Sequence, residues 1–356
     1  MAENSKNMVP LFVDLDGTLV RTDTMVESVF AVIKTNPLLI FLIPFWIMRG
    51  KVAFKNEIVK RCKVNPHILP YREDVINFLK QEKAAGRKLI LATASHRETA
   101  EAVISKEEYF DDIIATETGK NLSGNEKYEA IRDYLGNDQA FEYIGNSHDD
   151  LKVWKHASKA HVVQPSKSLL SKVKKATTTG EVFNEKKNKF GLIIRQMRIY
   201  QWSKNILIFI PILMAHKFMN AELMLDVIMA FFAFGFAASS VYVTNDLMDL
   251  ESDRQHPRKK NRPLASGQLD LITGVIAGFL SLSAGIIISL FLPVDFFLLL
   301  LAYLFITTAY SFKLKKIYIL DIIILASLYT LRLIAGSLAP GVAASPWLLA
   351  LDRKST

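Results

Sequence analysis

The chain has 356 residues, of which 50% are hydrophobic, and it carries a formal net charge of +9. Its single cysteine, Cys62, excludes an intramolecular disulfide and a metal site built from cysteines. The cations gather beside apolar segments, so an anionic membrane explains the positive charge better than nucleic acid does, and we expect no nucleic-acid partner.

The apolar residues divide the chain into two parts. Residues 1–170 have the mixed composition of a soluble domain, and the start MAENSKNMVP lacks the apolar core of a secretion signal, so we expect this domain to stay in the cytoplasm. Residues 171–194 are rich in Lys and Thr and are expected to form a linker or an exposed helix. Residues 195–356 consist of apolar stretches with short charged islands. The predicted fold class is an α/β domain, a parallel sheet with a helical cap, followed by an all-α multi-pass transmembrane domain.

Three apolar stretches in the first domain predict strands that each end in polar side chains. They are LFVDLDGTLV (11–20), KLILATAS (88–95) and FEYIGNSHDDL (141–151). Helical stretches alternate with them, and one of these helices begins near Lys127. This alternation favours a parallel sheet. In such sheets functional groups gather at the carboxyl ends of the strands.

This pattern resembles the haloacid dehalogenase-type phosphatases. The resemblance implies that Asp14 attacks phosphorus and forms an aspartyl-phosphate. It implies that Asp16 protonates the leaving oxygen and later activates water. Thr93 and Lys127 would bind the phosphoryl oxygens.

The resemblance also implies a Mg²⁺ ion, held by Asp14, Asp150 and the main-chain carbonyl of Asp16. The family's fourth motif usually reads Gly-Asp-Ser, whereas this chain has Asn146 at the middle position, which is a poorer magnesium ligand than a carboxylate. Asp149 or Asp150 would then supply the charge. A degenerate binding module is the alternative to an active phosphatase.

The helical cap is expected at about residues 24–68. Within it, PLLIFLIPFWIM (37–48) is apolar, but it is too short and too interrupted by proline to span a bilayer. It either contacts the membrane or a lipid-linked substrate, or it forms part of the core.

Five apolar stretches predict membrane spans. The loops after the second and fourth contain eight Lys and Arg residues, and the alternate loops contain only Lys217. The positive-inside rule therefore places those two loops and the first domain in the cytoplasm, with the protein in the inner membrane of the cell. Residues 346–351 would begin a sixth span, so we expect the chain to be incomplete. The five stretches are about 204–220, 226–246, 270–292, 295–312 and 317–338.

Carboxylates follow the second predicted span, in NDLMDLESDRQHPRKKNRPLASG (245–267). Asn245, Asp249 and Asp253 are spaced by four, so a helix would stack them on one face with Asp246 beside them. Such residues at the end of a membrane helix are costly and usually carry function. Oxygen ligands followed by cations suit a magnesium–diphosphate complex.

This motif resembles the first signature of the UbiA-type prenyltransferases. Trp202 before the first span, and the stretch from YSFKLKKIYILD to LYTLRLIAG, are most similar to the polyprenyl-phosphate phosphoribosyltransferases. The resemblance implies that Asn245, Asp246, Asp249 and Asp253 hold Mg²⁺ on a departing diphosphate. The expected substrate-binding residues are Lys204, Asn205, Arg254, His256, Lys259, Arg262, Lys315 and Arg332.

The first signature alone does not separate two donors. A phosphoribosyl donor would give an oxocarbenium ion, and a prenyl donor would give an allylic cation. The expected partners are a polyprenyl phosphate or another isoprenoid lipid, a diphosphate-bearing donor, and membrane lipids. An aromatic-acceptor prenyltransferase, for which Asp321 could serve the acceptor, and a non-catalytic membrane scaffold are the alternatives. If the membrane domain transfers a phosphoribosyl group, the phosphatase domain would remove the 5-phosphate from the lipid-linked product.

Overall fold

The computed structural model describes residues 8–117, 121–136, 139–185, 188–312 and 318–342. The chain folds as two compact units. Unit 1 contains Met1–Asn188 and Leu250–Leu271, and unit 2 contains Lys189–Asp249 and Ile272–Thr356. The packing therefore assigns the segment after Asp249 to the same unit as the N-terminal sheet, whereas the sequence division placed it with the membrane domain.

A six-stranded sheet forms the centre of unit 1, with the order β3-β2-β1-β4-β5-β6. All neighbouring strands are parallel, as predicted. β1 lies between β2 and β4, so the connections leave it in opposite directions and open a crevice at its carboxyl end. The strands are β1 (Leu11–Val13), β2 (Leu89–His96), β3 (Asp112–Thr116), β4 (Glu142–Gly145), β5 (Lys159–Val163) and β6 (Thr178–Phe183).

Helices cover both faces of this sheet, so its central strands β1 and β4 are buried on both sides. Leu11 and Val13 pack into one hydrophobic core, and Phe12 between them packs into the core on the opposite face. This alternation follows from the two-residue period of a strand. The helices outside the cap are α4 (Glu73–Ala84), α5 (Arg97–Lys106), α6 (Asn125–Leu135), α7 (Leu151–Trp154) and α8 (Lys167–Ala176).

The segment between β1 and α4 folds into helices. They are α1 (Thr24–Thr35), a 3-10 helix (Pro37–Phe41), α2 (Ile43–Met48), α3 (Lys51–Val59) and a short 3-10 turn (Pro66–Ile68). Val32, Trp46 and Ile58 form their own small core. We call residues 24–68 the cap.

Part of the predicted linker is a strand. Residues 178–183 form β6 and pair in parallel with β5. The expectation of a linker or exposed helix over 171–194 was therefore wrong for this stretch. The reason is its composition: TTGEVF is rich in β-branched and aromatic residues, which favour a strand at the edge of a sheet.

Unit 2 is helical. A 3-10 helix packs against α15 so closely that a Cβ at Gly336 would lie 2.0 Å from the carbonyl oxygen of Ile208. Its elements are α9 (Lys189–Gln196), the 3-10 helix (Ile199–Phe209), α10 (Ile210–Met214), α11 (Ala221–Met248), α13 (Leu271–Ser289), α14 (Val294–Phe312) and α15 (Tyr318–Leu338). Between α11 and α13, unit 1 contains α12 (Leu250–Gln255) and a 3-10 turn (Lys259–Asn261).

Three helices in the described part of the chain are long and apolar enough to cross a membrane: Ala221–Met248, Leu271–Ser289 and the stretch Val294–Ser311. They correspond to the second, third and fourth predicted spans. Ile199–Met214 and Ile322–Leu338 are shorter apolar helices. The first predicted span is wrong as a single membrane helix because the apolar helical stretch there, Ile199–Met214, is mostly 3-10 helix and is shorter than a bilayer crossing requires. Residues 346–351, the expected sixth span, lie outside the described residues.

Candidate active sites

The polar residues predicted for the first site meet at the carboxyl end of β1. Asp14 follows Val13 directly, and its main-chain N–H donates to the carbonyl of Ile144 in the neighbouring strand (3.0 Å). Gly17 turns the chain with φ +72°, a conformation that favours glycine. A Cβ at Gly17 would lie 2.1 Å from the side-chain nitrogen of Asn146, so the two loops touch.

Lys127 lies between two buried carboxylates. Its Nζ is 2.8 Å from Oδ1 of Asp14 and 3.5 Å from Oδ1 of Asp150. The hydroxyl of Tyr143 is 2.8 Å from Nζ and also 2.8 Å from the same Asp150 oxygen. Three of the residues chosen from sequence are therefore assembled, and Tyr143 joins them.

The electrostatics of this group favour an ionised Asp150 and a partly protonated Asp14. Burial raises the pKa of Asp14 to about 6, although the charge of Lys127 opposes the shift. Burial works against the charge of Lys127, yet Asp14 and Asp150 outweigh it and raise its pKa. The pKa of Asp150 is lowered: burial opposes its charge, but Lys127 and the hydrogen bonds of Ser147 prevail.

Asp16 faces the cap. Its Oδ1 accepts the N–H of Thr24, the first residue of α1, at 2.7 Å, and its Oδ2 accepts the hydroxyl of Ser95. Burial, assisted by the charge of Asp23, raises the pKa of Asp16 to about 7. A carboxyl with such a pKa suits a general acid and base near neutral pH. Thr93 is buried in β2, and its hydroxyl accepts the N–H of Ser95 at 3.0 Å.

Oxygen atoms suited to a divalent ion lie near Asp14, and the expectation that Asp150 is one of the ligands stays a prediction. Oδ2 of Asp150 accepts the N–H groups of Asn146 and Ser147 and the hydroxyl of Ser147 (3.1, 2.9 and 2.8 Å). These contacts favour a positioning role for Asp150. The hydroxyl of Thr18 lies 3.5 Å from Oδ2 of Asp14 and 3.3 Å from Oδ1 of Asn146, so these two oxygens face one space.

No cluster of three or more His, Cys, Asp or Glu side chains that could hold a metal ion is found in the part of the chain that the structure describes. A ligand set of the Asp14 carboxylate, the Asp16 main-chain carbonyl and the Asn146 amide contains only one such side-chain ligand, so it would not count as a cluster of this kind. It is chemically compatible with Mg²⁺, which prefers oxygen and takes further ligands from water and substrate phosphates.

The acidic residues after the second span are bonded to cations or amides. Asp246 accepts from Gln196 (2.7 Å) and from Arg198 (2.5 Å) within unit 2. In unit 1, Asp253 accepts from Arg262 at 2.5 Å, and Nζ of Lys259 lies 3.8 Å from it. Two of the expected magnesium ligands, Asp246 and Asp253, are therefore already paired with cations.

The single helix expected through these residues is interrupted. α11 ends at Met248, Asp249 leaves helical geometry at φ −104° and ψ 15°, and Asp253 lies in the separate α12. The stacking of Asn245, Asp249 and Asp253 on one helical face was therefore wrong. Short acidic side chains favour helix ends because they compete with the backbone for hydrogen bonds.

A cavity of about 210 Å³ lies inside unit 2 and contains several of the chosen residues. Arg332, buried in α15, donates from Nε to Oδ1 of Asn205 (2.9 Å), from Nη1 to the carbonyl of Leu328 (2.5 Å) and from Nη2 towards the hydroxyl of Tyr303 (3.4 Å). The polar and charged residues that line the cavity are Lys204, Asn245, Arg332, Tyr242, Tyr303, Thr307, Tyr310, Ser311 and Tyr329.

The remaining chosen residues lie elsewhere. Arg254 makes a two-pronged ion pair with Glu27 of the cap, and its Nε donates to the carbonyl of Ala265 (2.8 Å), all within unit 1. Nδ1 of His256 accepts the N–H groups of Arg258 and Lys259, so this ring stabilises a turn. Lys315 lies outside the described residues, as does the side chain of Asp321.

Comparison with known proteins identifies both parts. Residues 11–155 match the family model for haloacid dehalogenase-like hydrolases, and residues 207–351 match that of the UbiA prenyltransferase family. The chain joins a haloacid dehalogenase-like domain to a UbiA-family domain. Both are enzyme families, and the apolar helices together with the UbiA match make this an integral membrane protein.

Three relatives are similar to the chain over different lengths. The uncharacterized protein y4nM of Sinorhizobium fredii is 35% identical over 346 residues, which are 97% of this chain and 66% of that protein. Decaprenyl-phosphate phosphoribosyltransferase of Mycolicibacterium smegmatis is 36% identical over 168 residues, 46% of this chain and 52% of that protein. Nodulation protein NoeC of Azorhizobium caulinodans is 36% identical over 148 residues, 41% of this chain and 47% of that protein. The chain therefore spans between 47% and 66% of the length of these relatives.

Sequence reasoning missed several residues of both domains. In the haloacid dehalogenase-like domain, Tyr143 lies in the predicted strand stretch 141–151 and Ser95 is the last residue of KLILATAS, so both belong to stretches that the sequence had singled out. No sequence pattern indicated Lys55. Its Nζ donates from the cap to the carbonyl of Ala94 and to Oδ1 of Asn121, both at 2.5 Å. In the UbiA-family domain, the tyrosines of the cavity come from three helices, and only the fold brings them together.

Proposed function

We propose that the UbiA-family domain transfers a phosphoribosyl group from phosphoribosyl diphosphate to a polyprenyl phosphate in the cell's inner membrane. The observation that carries this proposal is the buried Arg332. Among the described residues its guanidinium bonds to an amide, a main-chain carbonyl and a phenol, and to no carboxylate. A buried cation without a counter-ion is costly, so an anionic ligand is strongly favoured beside it.

The lining of the cavity favours a sugar phosphate over an isoprenyl chain. Lys204 adds a second cation, and Asn245 and the phenols offer hydrogen bonds to hydroxyl groups. An isoprenyl group would instead contact the apolar part of the wall, Ala238, Val241, Leu325 and Leu328, and would leave the cations and hydrogen-bond donors without partners. The name of the Mycolicibacterium relative, which matches over the UbiA part, supports the same choice. The acceptor, a lipid phosphate, is already anionic and requires no general base.

An aromatic-acceptor prenyltransferase is the second candidate. The cavity's aromatic lining favours it, because the faces of phenol rings stabilise cations such as an allylic intermediate. Two of these rings already face a cation of the protein, since the guanidinium of Arg332 lies 5.4 Å from the ring centre of Tyr303 and 5.8 Å from that of Tyr329. We therefore rank this candidate second.

Mg²⁺ fits the oxygen-rich end of α11. In unit 2, Asn245, Asp246 and Asp249 would hold it, after Asp246 exchanges its bonds to Gln196 and Arg198. When bound, the ion would neutralise the diphosphate that departs. The role expected for Asp253 in the same metal site stays a prediction.

We propose further that the haloacid dehalogenase-like domain hydrolyses a phosphomonoester in the cytoplasm. Asp14 would attack phosphorus in its ionised form, which Lys127 favours from 2.8 Å. Asp16, protonated in part near neutral pH, would donate its proton to the leaving oxygen. Thr93 would donate its hydroxyl to a phosphoryl oxygen. Mg²⁺, held by Asp14, the carbonyl of Asp16 and Asn146, would offset the charge of the phosphate when bound.

The two proposed reactions follow each other chemically. Phosphoribosyl transfer leaves a 5-phosphate on the lipid-linked sugar, and this phosphate is a phosphomonoester. We propose that the haloacid dehalogenase-like domain removes it or a related lipid-linked phosphate. Covalent fusion of two domains by a short connection gives effective concentrations of about millimolar.

The donor can be tested with membranes that contain the full-length chain and polyprenyl phosphate. Radiolabelled phosphoribosyl diphosphate should label the lipid fraction, and radiolabelled isoprenyl diphosphate should not label an aromatic acceptor. Arg332→Met should lower the labelling by about 100-fold or more, the usual effect of removing one donor to developing charge. Ser327→Ala, at a half-buried position of the same helix outside the cavity lining, is the matched control.

Two results would overturn the assignment. Label passing from isoprenyl diphosphate to an aromatic acceptor would select the second candidate. Equal labelling by the parent chain and by Arg332→Met would remove the guanidinium from the reaction. Loss of Mg²⁺ binding in both domains would instead favour a non-catalytic scaffold.

A further inference from the structure

An apolar surface covers one side of the cap. Large hydrophobic side chains between residues 37 and 48 point into solvent: Phe41 is 77% exposed, Met48 85% and Phe45 58%. They belong to two consecutive short helices, the 3-10 helix Pro37–Phe41 and α2. We call residues 37–48 the apolar face. Monomeric soluble proteins rarely leave so many neighbouring apolar side chains in water.

This surface is not an incomplete core. The cap already has its own core, into which Trp46 packs beside Val32 and Ile58. Trp46 is only 4% exposed, so the helices have a defined inner side. The residues that point outward are the remaining side of the same two helices. Of the two interpretations that the sequence left open, membrane contact and core, the structure assigns Trp46, with Leu39 and Ile43 packed against its cluster, to the core and leaves the other large apolar side chains accessible.

The charges around the apolar face identify what could cover it. Residues 28–56 contain no Asp or Glu, and they contain four cations. Lys34, Arg49 and Lys51 are exposed on the cap, whereas Lys55 turns inward to Ala94 and Asn121. A second copy of the same surface would bring these like charges together. A bilayer with anionic head groups would attract them.

We propose that the apolar face docks into the head-group region of the bilayer, with Phe41, Phe45 and Met48 among the acyl chains. The segment is too short to cross a membrane, and Pro37 and Pro44 interrupt it, so it lies in the interface. A bilayer is at hand because the same chain is an integral membrane protein. Docking would also bring the cap to a lipid-linked phosphate. That consequence rests on the proposed function, whereas the docking itself does not.

The depth of single side chains in a bilayer tests this directly. Nitroxide labels are placed on Phe41→Cys or Met48→Cys in the full-length chain, with Cys62→Ser to remove the native thiol. The chain is embedded in nanodiscs with about 30% anionic lipid. Lys80→Cys, on the exposed side of α4, is the matched control. Collisions of each label with oxygen, which partitions into lipid, and with a water-soluble nickel chelate are measured by power saturation.

We expect labels at positions 41 and 48 to collide more with oxygen than with nickel, and the label at position 80 to show the reverse. Two outcomes would overturn the proposal. One is nickel access at 41 and 48 equal to that at 80, which would leave the face in water. The other is low access to both reagents, which would show that protein covers it, either a second copy or another part of the chain. Neither outcome depends on catalytic activity, so the test is separate from the proposed reactions.

Discussion

Lys127→Met removes the cation that lies between two buried carboxylates. Nζ is 2.8 Å from the Asp14 oxygen and 3.5 Å from the Asp150 oxygen. With an effective dielectric constant near 20, Coulomb's law gives gross attractions of about 6 and 5 kcal/mol. Desolvation of the lysine offsets much of this, so the net loss of stability is nearer the ~3 kcal/mol found when one partner of a buried pair is removed.

The catalytic effect should exceed the effect on stability. In the metal-free site, the pKa of Asp14 is about 6 with Lys127 in place. Without the cation this pKa rises further, so less of Asp14 is ionised near neutral pH and able to attack phosphorus. We expect hydrolysis of a small phosphomonoester to fall by about 10²- to 10³-fold near pH 7. The acidic limb of the pH–rate profile should move to higher pH.

The assay is the pH dependence of kcat/KM for the full-length chain in detergent. Lys80→Met, which removes an exposed lysine from α4, is the control and should match the parent. The reasoning fails if Lys127→Met keeps the parent's acidic limb and loses less than about tenfold, well below the roughly 10²-fold effect expected for a group that acts in the chemical step.

Two further changes test the electrostatics of unit 1. Burial raises the pKa of Asp14 from 3.8 to about 6. The folding free energy that the protonated carboxyl contributes is therefore fully present below pH 3.8 and is lost as the pH rises through 6. Metal-free Asp14→Asn should therefore be more stable than the parent by up to about 3 kcal/mol near pH 8 and equal to it near pH 4. Hydrogen exchange of β1 measures this difference in stability, and a difference that does not change with pH would contradict the prediction. Arg254→Met should cost about 3 kcal/mol because Glu27 is left buried without its partner. Adding Glu27→Met should recover most of that loss, and hydrogen exchange of α1 measures both; no recovery in the double variant would refute the pairing.

The fold and the first site were largely predictable because local patterns carried them. Each strand of the sheet near the site is an apolar run that ends in polar residues, and parallel strands place those ends together. This was enough to bring Asp14, Lys127 and Asp150 to one place. The pattern could not show that the Asp150 oxygens accept hydrogen bonds from Tyr143, Ser147 and the backbone, because hydrogen-bond partners depend on side-chain direction.

The failures have physical causes that a one-dimensional pattern does not contain. A period of four predicted one helix through the acidic motif, yet the chain leaves helical geometry at Asp249. Composition predicted a linker where an edge strand extends an existing sheet, because pairing with β5 supplies the hydrogen bonds. Hydropathy predicted a first span, although the helical stretch there ends at Met214 and is too short to cross a bilayer. The ion pair of Arg254 with Glu27, a residue 227 positions away, was not predicted either, and the role of Arg254 in diphosphate binding stays a prediction.

The lipid products of membranes that contain either the parent chain or Asp14→Asn test the account most directly. Both membranes receive phosphoribosyl diphosphate and polyprenyl phosphate, and the lipids are analysed by mass spectrometry. The account predicts a pentose-bearing lipid in both, with its 5-phosphate form accumulating in Asp14→Asn and depleted in the parent. A pentose-phosphate lipid in neither membrane would contradict the transferase, and equal amounts of the phosphorylated form in both would contradict the coupled phosphatase.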